Sequence, residues 1–155
     1  MLGIVPDSPE VAYGWIEPGA PVAVDSGSVF RVVRFWEKPS LPVASVLMER
    51  GCLWNSFIMV GRVDSFLSLI HRAVPSLRES FELLRPTMFS PMEERALLEL
   101  YSSIRPSSFS DEVLAVRPED LAVLSGGDLG WSDLGETKRV LAVLGRNGVK
   151  PEWAR

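Results

Sequence analysis

As far as Pro39 the chain is rich in Val, Ile, Phe and Trp and is repeatedly broken by Pro and Gly. That mixture suits short β-strands, because β-branched and aromatic side chains fit a pleated surface while Pro and Gly punctuate it. Strands are predicted over Leu2 to Val5, Tyr13 to Glu17 and Val29 to Trp36. Asp25-Ser26-Gly27-Ser28 reads as the turn of a hairpin between the second and third, since Gly supplies positive φ and Asp and Ser bond their own backbone. Pro39 and Pro42 end the third strand. Val43, Ala44, Val46, Leu47 and Gly51 then suit a short helix that turns Val43, Val46 and Leu47 inward and stops at glycine. Cys52 to Val60 returns to strand composition. Strand, helix, strand is the cue for an α/β fold, a mixed sheet covered by helices.

The second part of the chain changes period. Val63, Phe66, Leu67, Ile70 and Val74 recur three and four apart, the signature of an amphipathic helix, with Asp64 near its positive end. Pro75 breaks it, Ser76 to Leu84 forms another helix, and Pro91 sits near the first turn of a third that presents Leu97, Leu98, Leu100 and Tyr101 inward. Residues 62 to 104 are thus helical cover. Pro106 to Ser110 reads as loop, and Glu112 to Val116 fits either helix or strand. Leu121 to Leu124 is a short strand closed by Ser125-Gly126-Gly127, and Glu136 to Leu144 is a last helix ending near Gly145 and Gly148.

With 155 residues the chain fits a single domain, 1–155, with a proper core. A net charge of −4 with scattered Lys and Arg lacks the electrostatic footprint of a nucleic-acid binder. No apolar run is long enough to span a bilayer and no signal peptide is apparent, so a cytoplasmic protein without a membrane partner is expected. Cys52 is the one cysteine, which excludes an internal disulfide framework and suits a small buried hydrophobe.

Chemistry-bearing residues gather at strand ends. Glu37-Lys38-Pro39 closes a hydrophobic strand with opposite charges: a glutamate that can accept from hydroxyls and a lysine that offers a compact charge to a phosphate. The competing reading is a solvated charge pair at a strand terminus. Trp54-Asn55-Ser56 interrupts an apolar strand with groups that need partners if buried. Asn55 can donate to and accept from a hydroxylated ligand, or be satisfied by backbone at a bulge. Gly14, between Tyr13 and Trp15, marks either close approach of a ligand to the backbone or a simple bulge. Asp133 in Trp131-Ser132-Asp133-Leu134-Gly135 is a candidate metal ligand, but Asp133 to Glu136 equally resembles a capping box opening the last helix. Asp128 reads as readily as a turn residue as a second carboxylate. His71 has no nucleophile or carboxylate pattern beside it, and the tryptophans suit core or pocket walls.

In order and spacing these segments resemble the sugar-1-phosphate nucleotidyltransferases, most closely the mannose-1-phosphate guanylyltransferase branch. Gly3-Ile4-Val5-Pro6 with Pro9 and Tyr13-Gly14-Trp15-Ile16 is similar to that family's G-I-x-P...P...Y-G-Y-I. Phe35 to Pro39 is similar to F-V-E-K-P, Trp54 to Ser56 to W-N-S-G, and Trp131 to Gly135 to W-S-D-V-G. The resemblance covers essentially the whole chain and corresponds to the latter part of a catalytic domain, a partial Rossmann-like nucleotidyltransferase fold. It implies that Glu37 and Asn55 bind the sugar, that Gly14 lets the sugar approach the backbone, and that Lys38 binds the phosphate. Lys38 and Asp133 would be catalytic, with Asp133 helping to hold Mg²⁺. The implied reaction is attack by a sugar-1-phosphate oxygen on the α-phosphate of a nucleoside triphosphate, releasing pyrophosphate.

Departures from the family pattern are local. Phe57 stands where glycine is common, Trp36 replaces a small β-branched residue, and Val11-Ala12 replaces Thr-Gly. Around Ser108-Phe109-Ser110-Asp111 the usual S-I-D pattern is imperfect, so no role is carried onto Asp111. The glycine-rich nucleotide-binding segment, G-G-x-G-x-R-L-x-P-L, does not occur in these residues. The expectation is a chain that holds the sugar-phosphate portion, is inactive by itself, and meets a nucleoside triphosphate only when the nucleotide-binding half is supplied. A non-catalytic sugar-phosphate-binding or regulatory subunit is the alternative, with a homodimer or pairing with an N-terminal half as its assembly.

Overall fold

The computed structural model describes residues 1–23, 29–127 and 129–154. The predicted turn at Asp25 to Ser28 and the residue Asp128 lie outside them. Among the described residues, five strands and five α-helices follow in the order β1 (Leu2–Ile4), β2 (Trp15–Pro21), β3 (Val29–Trp36), α1 (Leu41–Glu49), β4 (Leu53–Asn55), α2 (Val63–Ala73), α3 (Pro75–Glu82), α4 (Glu93–Ser103), β5 (Ala122–Ser125) and α5 (Thr137–Arg146).

The sheet is mixed and closes on itself in the order β1-β4-β2-β3-β5. β2 and β3 form the antiparallel hairpin, pairing Trp15 with Trp36 and Ile16 with Phe35, and their register shifts at Pro18, which has no N–H to give the ladder. β4 lies antiparallel on the other side of β2. β3 and β4 are therefore parallel to each other with β2 between them, and α1 is the crossover the sequence predicts. The ring closes where β5 pairs with β3 antiparallel and with β1 parallel. Gly3 is required at that closure: a Cβ there would lie 2.7 Å from Leu53 and 2.8 Å from Val123.

Alternation along the strands sorts their side chains into two cores, because successive residues point to opposite faces. Ile16, Phe35, Leu53 and Val123 join Leu69 of α2 and the buried Val113 and Leu114 in one core. Trp15 and Trp54 join Tyr13, Ile4, Cys52 and the α1 residues Ala44 and Leu47 in the other. A mixed sheet with helices against both faces is the α/β architecture expected. Cys52 is fully buried, and burial pushes its thiol above the usual range.

Several local expectations need correction. α1 buries Ala44 and Leu47, while Val46 is half exposed. β4 ends at Asn55 rather than Val60, because Phe57 turns to φ 61° and the chain leaves the ladder. α4 buries Leu100, whereas Leu98 and Tyr101 stand in solvent, Tyr101 edge-on to Phe81 of α3. The ambiguous segment is a single wide helical turn, Ser110–Leu114, of π type. No helix among the described residues is long and apolar enough to cross a membrane.

Candidate functional site

Gly14 immediately precedes β2, and its carbonyl accepts the backbone N–H of Asn55 at 2.8 Å. The space beside its α-carbon is shared. A Cβ at Gly14 would lie 2.7 Å from Phe35 Cζ, 3.1 Å from Glu37 Oε2 and 3.4 Å from Asn55 Cβ. Three of the predicted site residues, Gly14, Glu37 and Asn55, thus meet at one point although they are distant in sequence. The hairpin register and the β2–β4 pairing bring them there: Phe35 faces Ile16, and Leu53 faces Ile16 from the other side.

Lys38 joins this group through Glu37, its Nζ lying 3.3 Å from Glu37 Oε1. The lysine side chain is 65% exposed and the glutamate 20%, so the ammonium is presented to solvent while its partner is held against the protein. Lys38 has φ 43°, an unusual conformation for a residue with a Cβ and for one that precedes a proline. Such strain collects at sites whose surroundings over-determine it.

Asn55 and Ser56 are buried polar residues. Asn55 Oδ1 accepts the N–H of Phe57 at 3.1 Å, the backbone-satisfied arrangement that the sequence leaves open. Its amide nitrogen is engaged by no described residue. Ser56 is structural, its hydroxyl donating to the Leu2 carbonyl at 2.7 Å and accepting from the Ile58 N–H at 3.2 Å.

Asp133 belongs to a neighbouring group. Its Oδ1 accepts the N–H of Gly135 at 3.0 Å, and Arg139 Nη1 donates to its Oδ2 at 2.9 Å. The capping-box expectation is corrected: α5 begins at Thr137 behind Glu136, with no side-chain cap, and Asp133 instead closes a two-residue turn. Its described polar contacts do not include Glu37, Lys38 or Asn55. The connection to the first group runs through Tyr13, whose ring lies under the Arg139 guanidinium at 4.7 Å and edge-on to Trp131 at 5.4 Å and Trp54 at 5.1 Å.

The metal expectation meets a poor donor set. No group of three or more His, Cys, Asp or Glu among the described residues could hold a metal ion. Mg²⁺ is usually bound by one or two carboxylates plus substrate phosphates, but here both Asp133 oxygens already have partners, one of them a guanidinium. These residues do not by themselves fit the ion.

Sequence reasoning passed over Glu10 and Arg139. Their only signal was spacing: Arg139 lies six residues beyond Asp133, across the turn into α5. It also passed over two buried indole nitrogens, of Trp36 and Trp54, that have no hydrogen-bond partner among the described residues. A cavity of about 790 Å³ is an open groove lined by Met1, Ile58, Met59, Phe66, Leu69 and Leu121 among others, and none of the predicted site residues lines it.

A mixed sheet with helices against both faces sets this chain among the α/β proteins. More particularly, it belongs to the nucleotidyl transferase family, whose model matches residues 1–144. It is 32% identical over 141 residues to the mannose-1-phosphate guanylyltransferase of Escherichia coli K12, covering 86% of this chain and 28% of that protein. The corresponding ManC protein of Salmonella typhimurium LT2 is 33% identical over 142 residues, with the same coverage. Among solved structures, one described as mannose-1-phosphate geranyltransferase from Thermus thermophilus superposes with a TM-score of 0.65 at 28% identity. It covers 81% of this chain and 34% of that one. The chain therefore spans about a third or less of the length of these relatives.

Proposed function

We propose that this chain supplies the sugar-1-phosphate site of a nucleotidyltransferase of mannose-1-phosphate guanylyltransferase type. The observation that carries the reading is the convergence of Glu37 and Asn55 beside Gly14, with Lys38 exposed next to them. In this reading a sugar ring lies over the strand ends beside Gly14, its hydroxyls donating to the Glu37 carboxylate and accepting from the side-chain amide N–H of Asn55. The Lys38 ammonium, released from Glu37 by the incoming anion, holds the phosphate.

The reaction would be attack by that phosphate's oxygen on the α-phosphorus of a nucleoside triphosphate, with pyrophosphate leaving. The protein's part is to fix the reacting oxygen and neutralise its charge, so positioning and electrostatics supply most of the acceleration. No step is assigned to a metal at Asp133. The triphosphate site is proposed to come from a glycine-rich portion outside these residues, in keeping with the fraction of the relatives' length that the chain spans.

Calorimetric titration with mannose 1-phosphate tests the reading. Binding at millimolar concentration or tighter is expected, abolished in Lys38→Ala; absence of heat with any sugar phosphate removes it. A second reading is a non-catalytic sugar-phosphate-binding or regulatory subunit. Mixing the chain with a separately expressed nucleotide-binding portion and following pyrophosphate release separates the two. Turnover that depends on Lys38 supports the enzyme, and binding without turnover supports the subunit.

A further inference from the structure

Arg139 lies on the first turn of α5, and its side chain is only 11% exposed. Its guanidinium is surrounded by three carboxylates: Asp133 Oδ2 at 2.9 Å, Glu136 Oε1 at 3.5 Å and Glu10 Oε2 at 3.6 Å. Beneath it lies the Tyr13 ring, 4.7 Å from Cζ. A largely covered cation with three anionic neighbours ties their segments together, because removing it leaves like charges near one another and empties the space over the Tyr13 ring.

What Arg139 fixes is the stretch from Glu10 to Trp15. Glu10 uses its other oxygen to accept the N–H of Ala12 at 3.0 Å, and its carbonyl accepts the Trp15 indole N–H at 2.9 Å. Tyr13 is held from above by the guanidinium and from the sides by Trp54 and Trp131. Gly14 comes next, its carbonyl accepting the Asn55 N–H and its α-carbon packed closely against Phe35 and Glu37. One side chain on α5 is therefore linked to the stretch that ends at Gly14, though its described ion pairs and ring contact do not include Glu37, Lys38 or Asn55.

We infer that Arg139 is a positioning residue for that site, clamping the Glu10–Trp15 stretch against the loop that carries Asp133; the inference rests on the sugar-phosphate reading above. The role needs arginine in particular. A planar fork can address carboxylates in different directions and lie flat on an aromatic face, whereas the point charge of lysine does only the former.

The test is titration of mannose 1-phosphate into the wild-type chain, Arg139→Met and Arg139→Lys, with amide hydrogen exchange recorded on the same proteins. In Arg139→Met the affinity falls about tenfold, the scale of coupling through contiguous packed and hydrogen-bonded contacts, and Arg139→Lys recovers part of it. Exchange at Ala12 and Asn55 quickens in Arg139→Met while Leu69 in α2 keeps its protection. A residue that only adds stability would instead lower protection throughout and leave the affinity of the folded fraction unchanged. Unchanged affinity in folded Arg139→Met overturns the inference alone. Absence of heat in the wild type overturns the sugar-phosphate reading, and the inference with it. Should Arg139→Met fail to fold, Glu10→Gln, which loosens the clamp at its other end, takes its place: weaker binding with faster Ala12 exchange supports the inference, and unchanged binding overturns it.

Discussion

Phe57 has φ 61°, in the left-handed region where a Cβ crowds the following carbonyl at a cost of about 1–2 kcal/mol. The residue is 59% exposed, and its ring meets Phe109 edge-on, with centroids 6.2 Å apart. Relief of strain and loss of that contact therefore oppose each other in Phe57→Gly, so the informative comparison is with Phe57→Ala, which loses the ring and keeps the strain. Phe57→Gly is expected to be more stable than Phe57→Ala by about 1 kcal/mol in urea unfolding, and equal stabilities would show that the left-handed turn carries no strain. The sequence marked this position as one where glycine is common in the family, and the backbone supplies the reason. Lys38 went the other way. A residue before proline is expected to be extended, and nothing in Glu37-Lys38-Pro39 announces φ 43°.

Elements whose pattern reaches the core were legible, and those held by other means were not. α2 forms where the three-and-four spacing predicts a helix, and Ile70 and Val74 of that pattern pack onto the first core, but the buried residue of α2 is Leu69, while Val63 and Leu67 stand exposed. α4 has an apolar face that meets little beyond Leu100, so periodicity overstated its burial. β4 was read too long because composition cannot see the turn made by Asn55 Oδ1 on Phe57. The segment entering the Ser110–Leu114 turn is fastened instead by Arg105, which donates to both oxygens of Glu112 at 2.8 and 2.6 Å. That pairing holds the Glu112 carboxyl below its ordinary value, and Lys138 does the same for Glu136 at the start of α5. A carboxylate whose pKa is lower in the folded than in the unfolded chain stabilises the fold above the ordinary value. It loses that contribution as pH falls through the folded one. Both groups are exposed, so global stability should hardly move. Local exchange should: amide protection at Ala115 and Val140 is expected to decline as pH drops below 4.5, after correction for the intrinsic acid dependence, and to remain flat in Glu112→Gln and Glu136→Gln respectively. A decline that persists in these variants would assign the effect to other carboxylates.

Closure of the sheet is a property of the whole molecule and could not be read locally, since β1 and β5 are separated by most of the chain and their parallel pairing appears only when every strand is assembled. The site was more legible than the ring. Glu37 and Lys38 close a strand that the sequence predicts, whereas Asn55 comes to a strand end only because β4 stops there and pairs with β2 opposite β3, and Asp133 depends on a loop anchored by Arg139. The two cores share their strands. Leu53 faces one and Trp54 the other, Ile16 one and Trp15 the other, so neither core can dissolve without stripping the sheet from its partner. Cooperative unfolding follows, and it can be watched from each side. Near-UV circular dichroism reports the tryptophans of the second core, and far-UV circular dichroism the helices, of which α2 rests on the first. The two transitions are expected to coincide. Leu114 is fully buried in the first core and Leu47 nearly so in the second. Truncating either to Ala should cost about 2–5 kcal/mol and shift both signals together. If Leu114→Ala moved the far-UV transition and left the tryptophan signal in place, the ring would be two independently stable faces, and Gly14 would have no rigid sheet to hold it against Glu37 and Asn55.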